Sequence, residues 1–387
     1  MSLGLANAGI DVVAACEKDQ WAADTYARNH PEAQLFRCDI KTIKDSALSD
    51  MRGAIDIVAG GPPCQGFSVS GKRQYGLHLP SNKLVYEYIR VVQNVRPTFF
   101  ILENVRGFTS GSIEGTKNAL DHILKKLTLE GYRVYHSVIQ AADYGVPSFR
   151  SRLFVIGSLV DLGPNPFPRP THCNPTRRTP GLLPYVSALD AISDLPKIEA
   201  REGTDGFQPY TKAAKNEYQT KIRGKATGVH NHEAMKHSPR LVDRFKGIPQ
   251  GGKGYDLGRS EKGKDSVTVY KSNNQRLFSD MPSLCITANF QSNYVHPLLH
   301  RNLTAREAAR LMTFPDWFVF MGKRTLMSST LLKSEGRHGE NYLSQYNQLG
   351  NAVPPLLAEK IGRALQESTV SKVRNRNEAP QLRAVSP

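Results

Sequence analysis

The sequence predicts an α/β fold in which parallel strands alternate with helices, and three observations carry this reading. Short apolar runs end abruptly in glycine, proline or an acidic residue, as in AIDIVAGGPP (54–63) and TFFILENV (98–105). Segments with apolar residues at helical spacing lie between such runs, as in LVYEYIRVVQNV (84–95). The interval from one run to the next is that of βαβ units.

Taken in order, MSLGLANAG (1–9) reads as a short helix with Gly9 at its end, and IDVVAACEKD (10–19) as a strand closed by Glu17. Residues 20–30 read as a helix, and QLFRCDI (34–40) as a third short element ending in Asp39. An acidic side chain at a strand end suits hydrogen bonds to a ribose or an adenine amine in nucleotide-type folds. A solvated turn acid fits either position equally well. The strand Ala54–Ala59 then breaks at two glycines and two prolines, which sets Cys64 at a strand's carboxyl end, where open α/β sheets build their sites. Cys64 is therefore a candidate nucleophile, weighed against a small buried hydrophobe.

The helix at 84–95 stops before Pro97, and the strand 98–105 brings Glu103 to the same sheet edge as Cys64. A carboxyl group there can serve as a general acid if burial raises its pKa. A helix over 115–130 precedes two strands, 132–140 and 151–157, whose hairpin-like linker ends in Arg150, with Arg152 just beyond it. From Gly163 the chain turns proline- and glycine-rich, and 163–300 is irregular and basic, as expected of loops that touch a phosphate backbone. LTAREAARLMT (303–313) reads as a helix with Thr304 as N-cap and Glu307 completing a capping box. A last amphipathic helix is expected over 353–366, and 367–387 reads as a disordered basic tail.

Composition narrows the partners. The chain has 387 residues, enough for two domains, and 51 Lys plus Arg against 35 Asp plus Glu leave a formal charge of +16, which favours a polyanion such as nucleic acid. No apolar run has the length of a membrane span, and the N-terminus lacks a signal-peptide plan, so a cytoplasmic protein is expected. Five scattered cysteines without a CxxC predict free thiols and no metal site. GFSVSGK (66–72) has phosphate-loop spacing, but Arg73 stands where a hydroxyl should hold magnesium. GRSEKGKD (258–265) fails in the same way at Asp265, and HEAMKH (232–237) spaces its histidines five apart, off a common helix face.

GPPCQGFSVSG (61–71), ENV (103–105), DYGVPSFRSRLFVIG (143–157), LTAREAARLMTFPD (303–316) and NQLGNAVPP (347–355), in that order, resemble the cytosine-C5 DNA methyltransferases of bacterial type. The resemblance implies a Rossmann-like methyltransferase sheet of mixed, seven-stranded type with a second, irregular target-recognition domain. Residues 1–160 would be the catalytic, cofactor-binding domain, 161–300 the recognition domain, and 301–366 a return to the catalytic domain. It also implies S-adenosyl-L-methionine as cofactor, double-stranded DNA as partner, a monomer, and a possible separate restriction endonuclease. In the family's scheme the Cys64 thiolate adds to C6 of a flipped cytosine, Glu103 serves N3, and Arg150 and Arg152 supply positive charge beside the thiol and the base. Gln65, Ser68 and Ser70 would contact DNA from a closing loop. Glu17 would take the ribose hydroxyls, Asp39 and Ile40 the adenine, and Pro63, Leu84 and Asn351 the remaining cofactor wall. Ser148 stands where the family's arginine motif carries glutamine.

The family begins with a strand and a DLFxGxGG loop that would precede MSLGLANAG, and this chain begins after them. The expectation is that Met1 is an internal methionine of a longer protein, through a misassigned start or a deletion. A chain that truly starts there is expected to bind cofactor weakly. Two other readings stay open, a tRNA cytosine-C5 methyltransferase and a catalytically impaired DNA-binding remnant.

Overall fold

The structure, a computed structural model, describes residues 1–62, 84–109, 119–257, 273–288, 290–325, 332, 334, 336, 342–373 and 382–386. Its centre is a sheet of seven strands: β1 (Asp11–Cys16), β2 (Gln34–Phe36), β3 (Ile57–Gly60), β4 (Phe99–Val105), β5 (Arg133–Gln140), β6 (Ser151–Ser158) and β7 (Arg383–Ser386). The order across the sheet is β2-β1-β7-β3-β4-β6-β5, and β6 alone runs antiparallel to its neighbours. The apolar runs are the inner strands: every residue of β3 is buried, as are six of the seven residues of β4.

The strand at the centre comes from the far end of the chain. Ala384 and Val385 of β7 pair in parallel with Ile57 and Val58 on one side and with Val12 and Ala14 on the other, the register slipping by one residue at Val13. Asp56 fixes the entry of β7: its carboxylate accepts from the Arg383 amide at 3.0 Å, and its own amide donates to the Arg383 carbonyl at 2.9 Å. This corrects the expected disordered tail from 367. The last helix continues to Val373, and 383–386 is a strand whose Ala384 and Val385 are buried. A four-residue strand after a basic, polar stretch carries no readable periodicity; its conformation is set by the slot it enters.

Helix α1 (Ser2–Asn7) lies on the long helix Pro355–Val373. Gly4 permits the approach, because a Cβ there would stand 2.3 Å from the Pro355 carbonyl oxygen. Helices α2 (Gln20–Asn29), α3 (Asp45–Ser49), α4 (Leu84–Val95) and α5 (Ala119–Leu129) complete the layers. Asp19 caps α2 by accepting from the Ala22 amide, and the apolar stripe of α4 packs Val85, Tyr88, Ile89 and Val92 onto the face of the sheet that shows Val58, Phe100 and Leu102.

Between residues 163 and 300 the described chain makes short helices (Ala188–Ile192, Glu217–Arg223, Pro239–Lys246) and two-residue ladders instead of a second large sheet. The helix Ala305–Leu311 has the expected Thr304–Glu307 capping box and is buried on every side. Its arginines are held by ion pairs and carbonyls. Arg310 pairs with Asp194 and, at 2.7 Å, with Asp316, while Asp194 also holds Arg223 at 2.5 Å. Arg301 makes a two-pronged bond to Glu307, both arms at 2.8 Å. Tyr294–Val295 pairs with Gln275–Arg276, and Ile286 and Phe290 are buried.

The position of β7 predicts a large effect from a small change. Ala384→Asp buries a carboxylate with no partner between β1 and β3, and is expected to cost on the order of 3 kcal/mol in urea unfolding. Arg383→Ala, at the exposed neighbour, should stay within about 0.5 kcal/mol. Equal midpoints for the two variants would refute the placement of the strand.

Candidate active site

The carboxyl edge of the sheet gathers one buried carboxyl group and two arginines. Glu103, on β4, is 7% exposed, and its Oε1 lies 3.1 Å from Arg152 Nε on the adjoining β6. The antiparallel ladder sets this up: Val105 pairs with Arg152 and Glu103 with Phe154, so the two side chains reach each other diagonally. Burial pushes the Glu103 carboxyl above its usual range, opposed by Arg152 and then Arg150. Gly61, at the end of β3, leaves room for this carboxyl, since a Cβ there would stand 2.9 Å from Glu103 Oε2.

The neighbour of Glu103 ties the site to the cysteine segment. Asn104 donates from its side-chain amide to the Pro62 carbonyl at 3.2 Å, while its carbonyl oxygen accepts from the Val105 amide at 2.8 Å. Pro62 is two residues before Cys64. Pro63, Cys64, Gln65, Ser68 and Ser70 themselves lie outside the described residues, and Leu84 opens α4 half-buried just past them.

The two arginines do different work. Arg152 faces Glu103 and donates to the Ser151 carbonyl at 2.8 Å. Arg150, 1% exposed, clasps three carbonyls: Ile286 at 2.7 Å, Gly350 at 3.0 Å and Ala352 at 2.8 Å. Burial lowers its pKa to about 10, which leaves it cationic at neutral pH. It draws the 283–286 segment and the helix Gln345–Asn351 onto the end of β6, and so acts on the edge mainly through position. Ser148 belongs to the same clasp, its hydroxyl donating to the Leu284 carbonyl at 3.2 Å. Asn351 sits exposed at the end of its helix, beside the Gly350 carbonyl that Arg150 holds.

The same construction brings in a group that motif reading missed. The Cys285 thiol lies 3.8 Å from an Arg150 nitrogen and 4.0 Å from an Arg152 nitrogen. No motif spacing marks Cys285, and only the Arg150 clasp places it here. Asn104, by contrast, was in plain view within ENV.

On the other side of β7, Glu17 follows β1 and Asp39 follows β2. Glu17 is half-buried, its Oε1 accepts from the Asp19 amide at 2.8 Å, and burial raises its pKa. Asp39 accepts from the Lys41 amide at 3.1 Å and from Lys18 Nζ at 3.3 Å. Burial acts upward on Asp39, but these two partners outweigh it and its pKa falls. Ile40 packs half-buried against the core below. Both carboxylates thus keep acceptor capacity at the carboxyl ends of β1 and β2, on one side of the point where the strand order reverses, and open α/β sheets bind ligands at such points. Among the described residues, no group of three or more His, Cys, Asp or Glu is placed to hold a metal ion. Nor is any described helix long and apolar enough to cross a membrane.

Comparison with known proteins agrees with this geometry. The profile of the family described as C-5 cytosine-specific DNA methylase matches residues 1–367. The chain is 40% identical over 367 residues to the type II methyltransferase M.DdeI of Desulfomicrobium norvegicum, covering 93% of this chain and 84% of that one. It is 33% identical over 369 residues to the type II methyltransferase M1.HphI of Haemophilus parahaemolyticus, covering 94% and 83%. Among solved structures, a prophage-encoded DNA modification methyltransferase from E. coli superposes with a TM-score of 0.69 at 25% identity, covering 95% and 96%.

The Glu103–Arg152 pair is open to a direct test. Arg152→Gln removes the strongest opposition to burial, so the Glu103 carboxyl should titrate at higher pH than in the parent. The carboxyl band in difference infrared spectra against Glu103→Gln reports this, and an unmoved titration would contradict the pairing.

Proposed function

The chain belongs to the C-5 cytosine-specific DNA methylase family and is a DNA cytosine-5-methyltransferase, and from that premise we propose how its residues carry out the reaction. The observation that carries the proposal is the buried Glu103–Arg152 pair, joined through Asn104 to the segment that leads into Cys64. The substrate is a cytosine within a short, specific sequence of double-stranded DNA. Its carbon 5 is too weak a nucleophile to take a methyl group unaided.

Cys64 adds as a thiolate to C6 of the ring. An ordinary thiol with a pKa of about 8.5 is ionised only to a few per cent at pH 7, so positive charge at the edge matters. Arg152 supplies it, with Arg150 behind. Glu103, held toward its protonated form by burial, donates at N3 as the ring accepts the thiolate, and C5 gains enamine character. Once C5 has used its electron pair to take up the methyl group that the cofactor would supply, loss of the C5 proton, return of the N3 proton to Glu103 and expulsion of Cys64 restore the aromatic ring.

S-adenosyl-L-methionine, when bound, supplies an electrophilic methyl group on a sulfonium. Glu17 is suited to hold ribose hydroxyls and Asp39 the adenine amine, since each is an acceptor at the carboxyl end of a strand near the point where the strand order reverses. Ile40, Pro63, Leu84 and Asn351 would line the rest.

A cytosine in a duplex hides C6 in the stack, so the base must be flipped out at a cost of a few kcal/mol. Gln65, Ser68 and Ser70 follow Cys64 in sequence and are the expected contacts that hold the opened duplex. The region 161–300 would read base edges, and the net charge of +16 would supply salt-dependent attraction to the phosphates. The type II relatives make a restriction–modification role the natural setting, with the enzyme acting as a monomer beside a separate endonuclease.

DNA carrying 5-fluorocytosine at the target tests the proposal, because fluorine at C5 cannot leave as a proton and the adduct is trapped. With cofactor present, a covalent protein–DNA complex should form with the parent chain and be absent with Cys64→Ser. Glu103→Gln should slow methyl transfer by about 100-fold or more. An adduct that survives Cys64→Ser, or full activity in Glu103→Gln, would overturn these roles.

A further inference from the structure

Two cysteines stand together at the sheet edge that the proposed function assigns to the cofactor. Cys16 ends β1 and pairs in register with Phe36, the last residue of β2. Cys38 follows Phe36 by two residues, in the bend just past that strand. The Cys16 thiol donates to the Cys38 carbonyl at 3.3 Å, which sets the two cysteines side by side. Both residues are half-buried, open enough for a small reagent. Of the other described thiols, Cys173 accepts from the Thr179 amide and Cys285 lies against Arg150 and Arg152. Among the described cysteines, only Cys16 and Cys38 are joined by a hydrogen bond.

Their sequence neighbours give the pair its meaning. Glu17 follows Cys16, and Asp39 follows Cys38. The two carboxylates already belong to linked straps, since Lys18 Nζ reaches Asp39 at 3.3 Å and the Glu17 amide donates to the Phe36 carbonyl at 3.0 Å. We propose that Cys16 and Cys38 form a redox-active pair that closes to a disulfide and, in closing, shifts Glu17 and Asp39 out of their cofactor-holding positions. The cofactor part of this inference rests on the function proposed above, whereas the pairing of the thiols does not.

The oxidant is a low-molecular-weight disulfide. Burial, followed by Cys38, Glu17 and Asp39, pushes the Cys16 thiol up to about 12, so Cys38 is the side chain that attacks first. Its thiolate attacks one sulfur of the oxidant, and the other sulfur leaves as a thiolate. Cys16 then gives up its proton and attacks the mixed disulfide at Cys38, which releases the second thiol. The pair loses two electrons and two protons in all, and the oxidant is reduced to two thiols. A disulfide needs Cα atoms about 4.4–6.8 Å apart, so closure must fix the relative position of the two straps.

The test uses the full chain carrying Cys64→Ser, which removes the thiol assigned to catalysis from the readout. After equilibration with oxidised glutathione, peptide mapping should find Cys16 joined to Cys38. Affinity for S-adenosylhomocysteine, measured by calorimetry, should fall at least tenfold and return with dithiothreitol. Adding Cys38→Ser should abolish both effects while leaving the reduced affinity within about twofold. Absence of the cross-link, including glutathione left on Cys38 without closure, overturns the proposal. So does a cross-link that changes affinity less than twofold. Failure of the reduced protein to bind S-adenosylhomocysteine would instead overturn the cofactor reading, and the cross-link would still judge the thiol pair.

Discussion

The parallel insertion of Arg383–Ser386 between β1 and β3 is the constraint on which the rest depends. Without it, the strand that ends beside Glu17 and the strand that ends at Gly61 would have no common neighbour. With it, the acceptors at one side and the Glu103–Arg152 pair at the other share one sheet edge, on either side of the point where strand order reverses. The ladder is short, but it is closed on both sides by backbone bonds and by the Asp56 clasp on Arg383. Its interior residues are apolar and small, which suits a slot flanked by fully buried Ile57 and Val58. A segment that is last in the chain therefore decides the geometry of groups that come first.

A second theme is the use of buried cations as joints. Arg150, Arg301, Arg306 and Arg310 are all fully buried, and each donates to a carbonyl from a distant part of the chain. Buried ion pairs are poor sources of net stability, but removing one partner leaves a charge stranded and is costly. Such joints favour one relative placement of the elements they connect. Arg310 joins Asp194 to the helix Ala305–Leu311, and Arg150 joins β6 to the 283–286 and 345–352 segments. The irregular part of the chain is thereby fastened to the site by charge as well as by apolar contact.

How much of this was legible in the sequence follows from the length of each signal. β3, β4 and β6 are continuous apolar runs, and they stand where the runs predict, as does the Thr304–Glu307 capping box. Glu103 at a strand's carboxyl end was legible for the same reason, whereas its pairing with Arg152 was not, since it depends on β6 lying antiparallel beside β4. β7 was not, because LRAVS after RNRNEAPQ has neither the length nor the alternation of a strand, and its pairing partners lie more than 300 residues away. The role of Arg150 was legible only in part: arginine in a motif reads as a supply of charge, whereas its burial and three carbonyl partners make it a clasp. Cys285 and the Cys16–Cys38 pair carry no spacing signal at all, since tertiary contacts create them.

The central claim is that the carboxyl-terminal strand is part of the sheet's core and organises the cofactor edge around it. Hydrogen–deuterium exchange on the full chain measures this most directly. The amides of Ala384, Val385 and Ser386 should exchange in the slowest class, together with those of Ile57–Gly60 and Phe99–Leu102. Exchange of 384–386 within seconds, as for a fraying terminus, while 57–60 stays protected, would contradict the account.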